Sequence, residues 1–350
     1  MNTVPRPSRT RPLAVLAMSL ALFLAGPDPA LAVEIERTGP PQTDVAAGCS
    51  LTLTGPINPG DAARVEAALD PLIAELFNYP SHLLNEQVVV CLESDGGDFL
   101  EGLRLAQLFH ERTVTTRVSP NSSCISACAL AFMGGRYDSR SGVGFSPSRY
   151  LHPTSRLGFH APRLILGDGE VNRESVQQSY TAAILSIGLL AQNAQTFGIS
   201  TRLIRNIVLN TGQSVHYVTT IDDVSDYGLR LYGYAPPPLT EQAQIAGCWN
   251  SFRWEFRPNQ DRETLDEFWS YVSHASLTPQ QLVEYYPFDG SMYCAHTVQQ
   301  FGGGFADSFV QSESSNLVDP RIRMYRPSWA RLPGPSPITD LRPGVQRDFF

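Results

Sequence analysis

Lysine is absent from all 350 residues, so the 26 basic side chains are arginines. That absence excludes a serine–lysine dyad, in which an amine activates a serine hydroxyl, from within this chain. Positive charge is scarce as a whole. Against 34 acidic residues the net charge is −8, which argues against a nucleic-acid partner, whose phosphates demand a basic surface. Long apolar runs are lacking too. The N-terminal run Leu13 to Ala25 has 13 residues, short of the ~20 that a helix needs to cross a bilayer. No later segment is long enough either, so no transmembrane anchor is expected. No cluster of histidine and cysteine has metal-ligand spacing, since Cys124 and Cys128 alone do not complete a site. Neither a metal nor another cofactor is expected, and no internal repeat is visible.

What the N-terminus does hold is a pattern of export. Arg6, Arg9 and Arg11 precede the apolar run, and Ala30-Leu31-Ala32 follows it. A basic region, an apolar core and a small-residue cleavage site make a secretory signal peptide over residues 1–32. The mature chain is then expected to begin near Val33, soluble and outside the cytoplasm, with 23 basic and 33 acidic residues. All six cysteines (Cys49, Cys91, Cys124, Cys128, Cys248, Cys294) lie beyond the cleavage site, as suits an oxidising compartment.

Proline and glycine punctuation divides the remainder. Residues 33–48 read as an irregular lead-in. Over 49–234, strand and helix patterns alternate, which implies an α/β domain with a largely parallel sheet. Val88-Val89-Val90-Cys91-Leu92 is a continuous apolar run, as in a strand buried on both faces. Helices are expected over 61–77, 98–112, 127–133, 170–197 and 201–209, and strands over 49–53, 114–118, 157–160 and 215–218. Residues 235–245 contain Pro236-Pro237-Pro238 and read as a linker. Residues 246–300 form a small aromatic-rich module in which Cys248 and Cys294 are most simply paired with each other. Closing a loop of that length contributes roughly 4 kcal/mol. Residues 301–350, rich in Gly, Ser and Pro, read as an extended or disordered tail. Sequence leaves the pairing of Cys49, Cys91, Cys124 and Cys128 open.

The chemistry-bearing residues fall in one order. Ser94-Asp95-Gly96-Gly97 is a glycine turn at a strand end, Ser126 opens a small-residue helix, and His160 ends a later apolar strand. Acyl transfer needs such parts: backbone N–H groups for an oxyanion, a nucleophile, and a base to take its proton. Gly96, Gly97 and Ala127 are the candidate oxyanion and substrate-binding backbone, with Gly96 and Ala127 as the two donors. Ser126 also fits an ordinary helix cap. An imidazole suits proton transfer near neutral pH; His152 is the rival base, eight residues earlier.

The segments SDGGDFLEGLRLA, CISACALAFMGG, LGFHAP and DDVSDYGL together resemble the Clp protease (caseinolytic serine protease) proteolytic subunit family and its crotonase-like fold. They look closest to the secreted, periplasmic branch of that superfamily in Gram-negative bacteria. The family reads SPGG, with another glycine five residues after the second, and Gly97 to Gly102 keeps that spacing. Ser126 with Gly134-Gly135 matches the family's catalytic helix, and His160-Ala161-Pro162 its catalytic histidine before a proline turn. The resemblance spans roughly 49–234. It implies a periplasmic serine peptidase acting on peptides or proteins through an acyl-enzyme, and rings of subunits, that is, a homo-oligomer.

Departures from the family pattern shape the expectation. Asp95 replaces a proline, and residues 136–156 read as extra length between nucleophile and base. The family's third triad member, an aspartate, falls here at Ser214 or His216, while Asp222 and Asp223 are displaced in register. A two-residue Ser126–His160 arrangement and a non-catalytic binding or assembly module of the same fold therefore both stand. Acyl-CoA chemistry is weaker, because export removes the chain from cytoplasmic CoA.

Overall fold

Residues 88–92 organise the molecule. Their side chains are apolar on both alternating faces, and such a strand is stable only when both faces are covered. In the computed structural model of the chain residues 89–92 lie in the third strand of a six-stranded sheet, with Val88 just before it. The structure describes residues 32–78, 87–139, 144–162, 173–210, 214–238, 240, 242–247, 250, 272–276, 282–285, 292–301, 304–312, 323–326 and 328–344. Residues 1–31 of the signal-peptide segment lie outside them, as does Cys248 and with it the expected Cys248–Cys294 bridge.

In chain order the elements are β1 (Glu34–Arg37), β2 (Leu51–Thr54), α1 (Asp61–Asn78), β3 (Val89–Glu93), α2 (Phe99–Glu111) and β4 (Thr115–Val118). Then come β5 (Ser123–Ile125), α3 (Ala127–Phe132), β6 (Arg136–Ser139), β7 (Gly144–Pro147), β8 (Arg149–Leu151) and β9 (Arg156–Phe159). They are followed by α4 (Arg173–Phe197), α5 (Thr201–Leu209), β10 (His216–Tyr217), α6 (Ile221–Asp226) and β11 (Arg230–Leu231). Strands β12 (Val272–Ser276), β13 (Leu282–Tyr285), β14 (Met292–Phe301), β15 (Gly304–Ser312) and β16 (Arg323–Arg326) complete the chain.

The main sheet runs β1-β2-β3-β4-β8-β11, antiparallel at the β1–β2 edge and parallel elsewhere. The chain is thus α/β, with a mostly parallel mixed sheet and flanking helices. A second sheet, β10-β9-β5, pairs β5 parallel to β9 and β10 antiparallel to it. Val88, Val90 and Leu92 enter the large core with Leu69, Leu105 and Phe109. Val89 and Cys91 face the other way, against Val45, Tyr150 and Tyr232. There the Cys49–Cys91 disulfide ties the lead-in to the sheet. The second described disulfide is Cys124–Cys128, so two of the pairings left open are now set.

Four segments differ from the sequence reading. Part of the lead-in forms β1, an edge strand whose EIER sequence is mostly exposed and so carries no apolar alternation. The stretch read as extra length between nucleophile and base contributes β8, a strand inside the main sheet, between β4 and β11. Its Arg149 is buried, and the guanidinium donates to the carbonyls of Phe197 and Tyr227, at the C-terminal ends of α4 and α6. A buried cation there answers carbonyls left over by two helices, and burial lowers the Arg149 pKa to about 9. An arginine in a three-residue strand gives no strand signal.

The tail differs most. Residues 272–326 contribute a five-stranded antiparallel sheet, β12-β13-β14-β15-β16. Beyond it, Trp329, Ala330, Ile338 and Leu341 join the α/β core. Ile221 and Asp222 donate their N–H groups to Ser336 and Gly334 carbonyls, and Ile338 donates to Thr219. The composition is that of a loop, yet its few apolar residues anchor it. The segment read as a linker holds helical residues 242–247, with Ala243, Ile245 and Ala246 buried.

Candidate active site

The end of β3 forks into the second sheet. Ser94 N donates to the Ser123 carbonyl at 2.8 Å and Ile125 N donates to Ser94 O at 3.0 Å. This splice carries Ser94–Gly97 onto the end of β5, directly against Ser126. Gly96 and Gly97 have φ of +110° and +147°, values that a side chain disfavours. Space forbids one as well: a Cβ on Gly96 would lie 2.6 Å from Ser126 Cβ, and one on Gly97 2.0 Å from Ile57 O. Gly96 is therefore required both by the turn and by the approach of the nucleophile candidate, and Gly97 by the turn and by the approach of Ile57.

Ser126 itself stands at φ 60°, ψ −121°, between β5 and α3, and its side chain makes no capping hydrogen bond. The ordinary cap reading is thereby excluded. A non-glycine residue held there costs of order 1–3 kcal/mol, and a strained strand-to-helix turn is the device that pushes a nucleophilic serine out of its surroundings. Several contacts hold the strain. Ser126 N donates to Gly158 O at 2.9 Å. The Cys124–Cys128 bridge spans the turn, with both cysteines fully buried. Behind it α2 crosses α3 so closely that a Cβ on Gly102 would lie 2.5 Å from Ala127 O. That close crossing is the physical reason for the glycine five residues after Gly97.

The β5–β9 register, with Ile125 opposite Gly158, places His160 two residues beyond the glycine whose carbonyl holds Ser126 N. Its Nδ1 lies 2.7 Å from the Ala161 carbonyl oxygen. A carbonyl only accepts, so Nδ1 carries the hydrogen and Nε2 of the neutral ring keeps its lone pair. Ala161 is fixed in turn by its N–H donating to Asn210 O at 3.1 Å. Among the described residues no hydrogen bond joins His160 to Ser126.

The oxyanion donors need one correction. Gly96 N–H donates to Ser94 Oγ at 3.0 Å and is not free for a substrate. Gly97 takes its place as a candidate. Its neighbours form the pairing with Ile57 (Ile57 N to Gly96 O, 2.9 Å; Asp98 N to Ile57 O, 2.8 Å), while among the described residues no acceptor is recorded for the Gly97 N–H. Ala127 N–H, at the first position of α3, has no partner within the helix.

Of the two carboxylates considered for a triad, Asp223 serves another end. Asp223 Oδ2 accepts from Thr219 N, Thr220 N and Thr220 Oγ1, forming the capping box of α6. Its Oδ1 and Asp226 both meet Arg202. Asp222 is buried on α6. The strand beside His160 supplies His216 instead, opposite Phe159, with Nε2 2.8 Å from Tyr227 OH. Burial lowers the His216 pKa and raises that of Tyr227. His152 packs edge-on to Tyr232, with Nδ1 2.8 Å from Thr154 Oγ1.

Sequence reasoning missed two parts. Ser94 Oγ shapes the glycine turn, legible as a hydroxyl two residues before a glycine. The Ala161 carbonyl fixes the histidine ring, and no side chain announces it. Among the described residues no group of His, Cys, Asp and Glu side chains is assembled as a metal site, and no helix is long and apolar enough to cross a membrane. No protein-family model and no curated protein matches the chain, so its description rests on fold and site: an α/β protein with a strained serine at a strand-to-helix turn and a histidine just past the strand paired with it. The disulfides are compatible with an extracellular or periplasmic location.

Proposed function

We propose that this chain is an exported, periplasmic serine peptidase-like hydrolase with a Clp protease/crotonase-like α/β domain, processed after Ala32. Ser126 Oγ adds to the substrate carbonyl while His160 Nε2 takes its proton. Gly97 and Ala127 N–H groups receive the developing oxyanion. Collapse of the tetrahedral adduct expels the amine, which takes the proton from His160, and leaves Ser126 acylated. Water, deprotonated by the same nitrogen, then releases the acid and frees Ser126.

The observation that carries this reading is the backbone of Ser126, φ 60° and ψ −121° with no capping bond. Strain without a structural use in capping supports a use in chemistry. In place of an aspartate, the Ala161 carbonyl selects the tautomer of His160. A carbonyl orients the ring but stabilises the imidazolium less than a carboxylate does, so the activity is modest beside a full triad. A non-catalytic module of the same fold is favoured by the engagement of Asp223 in the α6 cap. Hydrolysis of a quenched fluorogenic peptide library by the mature protein separates the two readings. Turnover that is lost in Ser126→Ala supports the hydrolase; turnover that survives it refutes Ser126 as the nucleophile, and none in the folded wild type supports the binding module.

A further inference from the structure

The first buried residue of the described chain is Val33, 1% exposed. Its N–H points at Asp61 Oδ2, 3.4 Å away and itself 2% exposed. That is long for an amide donor. Both ends of Val33 are held by one cluster, because its carbonyl accepts from Arg64 Nη1 at 3.0 Å, and the same Nη1 lies 2.7 Å from Asp61 Oδ1. Asp61 Oδ2 also accepts from Asn58 N at 2.7 Å. Asn58 follows Ile57, whose N–H and carbonyl hold Gly96 and Asp98 on either side of Gly97. A short chain of contacts thus runs from the Val33 nitrogen to the candidate oxyanion turn.

We propose that removal of the signal peptide builds part of this site. Water adds across the Ala32–Val33 bond, catalysed by a signal peptidase. Ala32 leaves with a carboxylate, and the Val33 nitrogen, protonated, becomes an α-ammonium. At the position seen here this ammonium forms a buried ion pair with Asp61, replacing a long amide contact by a charge-assisted one. The precursor has a neutral amide there, so Asp61 gains its second cation only on maturation. Processing then locks the 57–61 loop and, through Ile57, the Gly96–Gly97 turn. The inference rests on the export and processing reading, not on the serine chemistry.

The absence of lysine makes the test specific, since the N-terminal α-amine is the one primary amine of the mature chain. Protein recovered from the periplasm is sequenced from its N-terminus, then treated with sulfo-N-hydroxysuccinimide acetate and followed by intact mass. The proposal expects Val33 as the first residue and acetylation slower by about tenfold or more than in the urea-unfolded chain, because reaction must await local opening. Asp61→Asn, and separately a chain retaining Ala32, should both lose that protection while Cys49–Cys91 and Cys124–Cys128 stay oxidised. A different first residue overturns the processing reading itself. Val33 as first residue with an amine that reacts at the unfolded rate overturns the ion pair, as does full protection retained in both altered chains.

Discussion

Gly102→Ala is the sharpest probe of how the fold sets the proposed nucleophile. The added Cβ would sit 2.5 Å from the Ala127 carbonyl oxygen, about 0.9 Å inside the 3.4 Å at which ordinary contact begins. Neither partner is a flexible side chain, so α2 and α3 must separate by a comparable amount. Overpacking of this kind costs about 1–3 kcal/mol. The displaced residue is also the neighbour of Ser126 and the carrier of a candidate oxyanion N–H, and a shift near 1 Å at reacting groups costs about 100-fold in rate. The assay is the second-order rate of Ser126 labelling by a fluorophosphonate, beside the thermal midpoint. Gly188→Ala serves as the control, because its Cβ meets nothing within 4 Å and alanine favours a helix over glycine by about 1 kcal/mol. Wild-type stability and labelling in Gly102→Ala would refute the claim that the α2–α3 crossing positions the serine.

Two further outcomes follow from the same geometry. Replacing Cys124 and Cys128 together by alanine should cost about 2 kcal/mol, against about 4 kcal/mol for the longer Cys49–Cys91 loop, yet should slow Ser126 labelling far more than loss of Cys49–Cys91 does; equal effects would show that the short bridge does not serve the turn. Burial lowers the His216 pKa below its ordinary 6.5, so the unfolded chain binds the proton more readily, and stability is present above pH ~6.5 and lost as pH falls below it. The thermal midpoint should therefore drop between pH 7 and pH 5, and less steeply in His216→Gln; identical slopes would remove His216 as a cause, leaving His110 and His152, whose pKa values are also lowered by burial.

Legibility followed the length and apolarity of each element. The β3 run and the α1, α2 and α5 patterns announce themselves because periodicity survives over whole turns, and Asp98 caps α2 as a helix-start aspartate should. Strands β8, β5 and β11 are two or three residues long, and β8 begins on a buried arginine, so local pattern had nothing to detect. The tail misled for a different reason, since Gly, Ser and Pro describe its backbone while Trp329 and Ile338 decide where it packs. At the site, Ser126, His160 and the glycine turn were legible as residue types in order. Which glycine N–H is free was not, because it turns on a hydroxyl bond from Ser94. Nor was the role of the Ala161 carbonyl, since a main-chain group has no sequence signal.

The most direct test of the account is covalent. Mature wild-type protein, Ser126→Ala and His160→Ala are exposed to a fluorophosphonate, and the adduct is located by peptide mass spectrometry. The account predicts one phosphonylated residue, Ser126, no adduct in Ser126→Ala, and a labelling rate in His160→Ala lower by a factor of about 100 or more, the range of a lost general base. Folded wild-type protein with both disulfides formed and no adduct on Ser126 would contradict it.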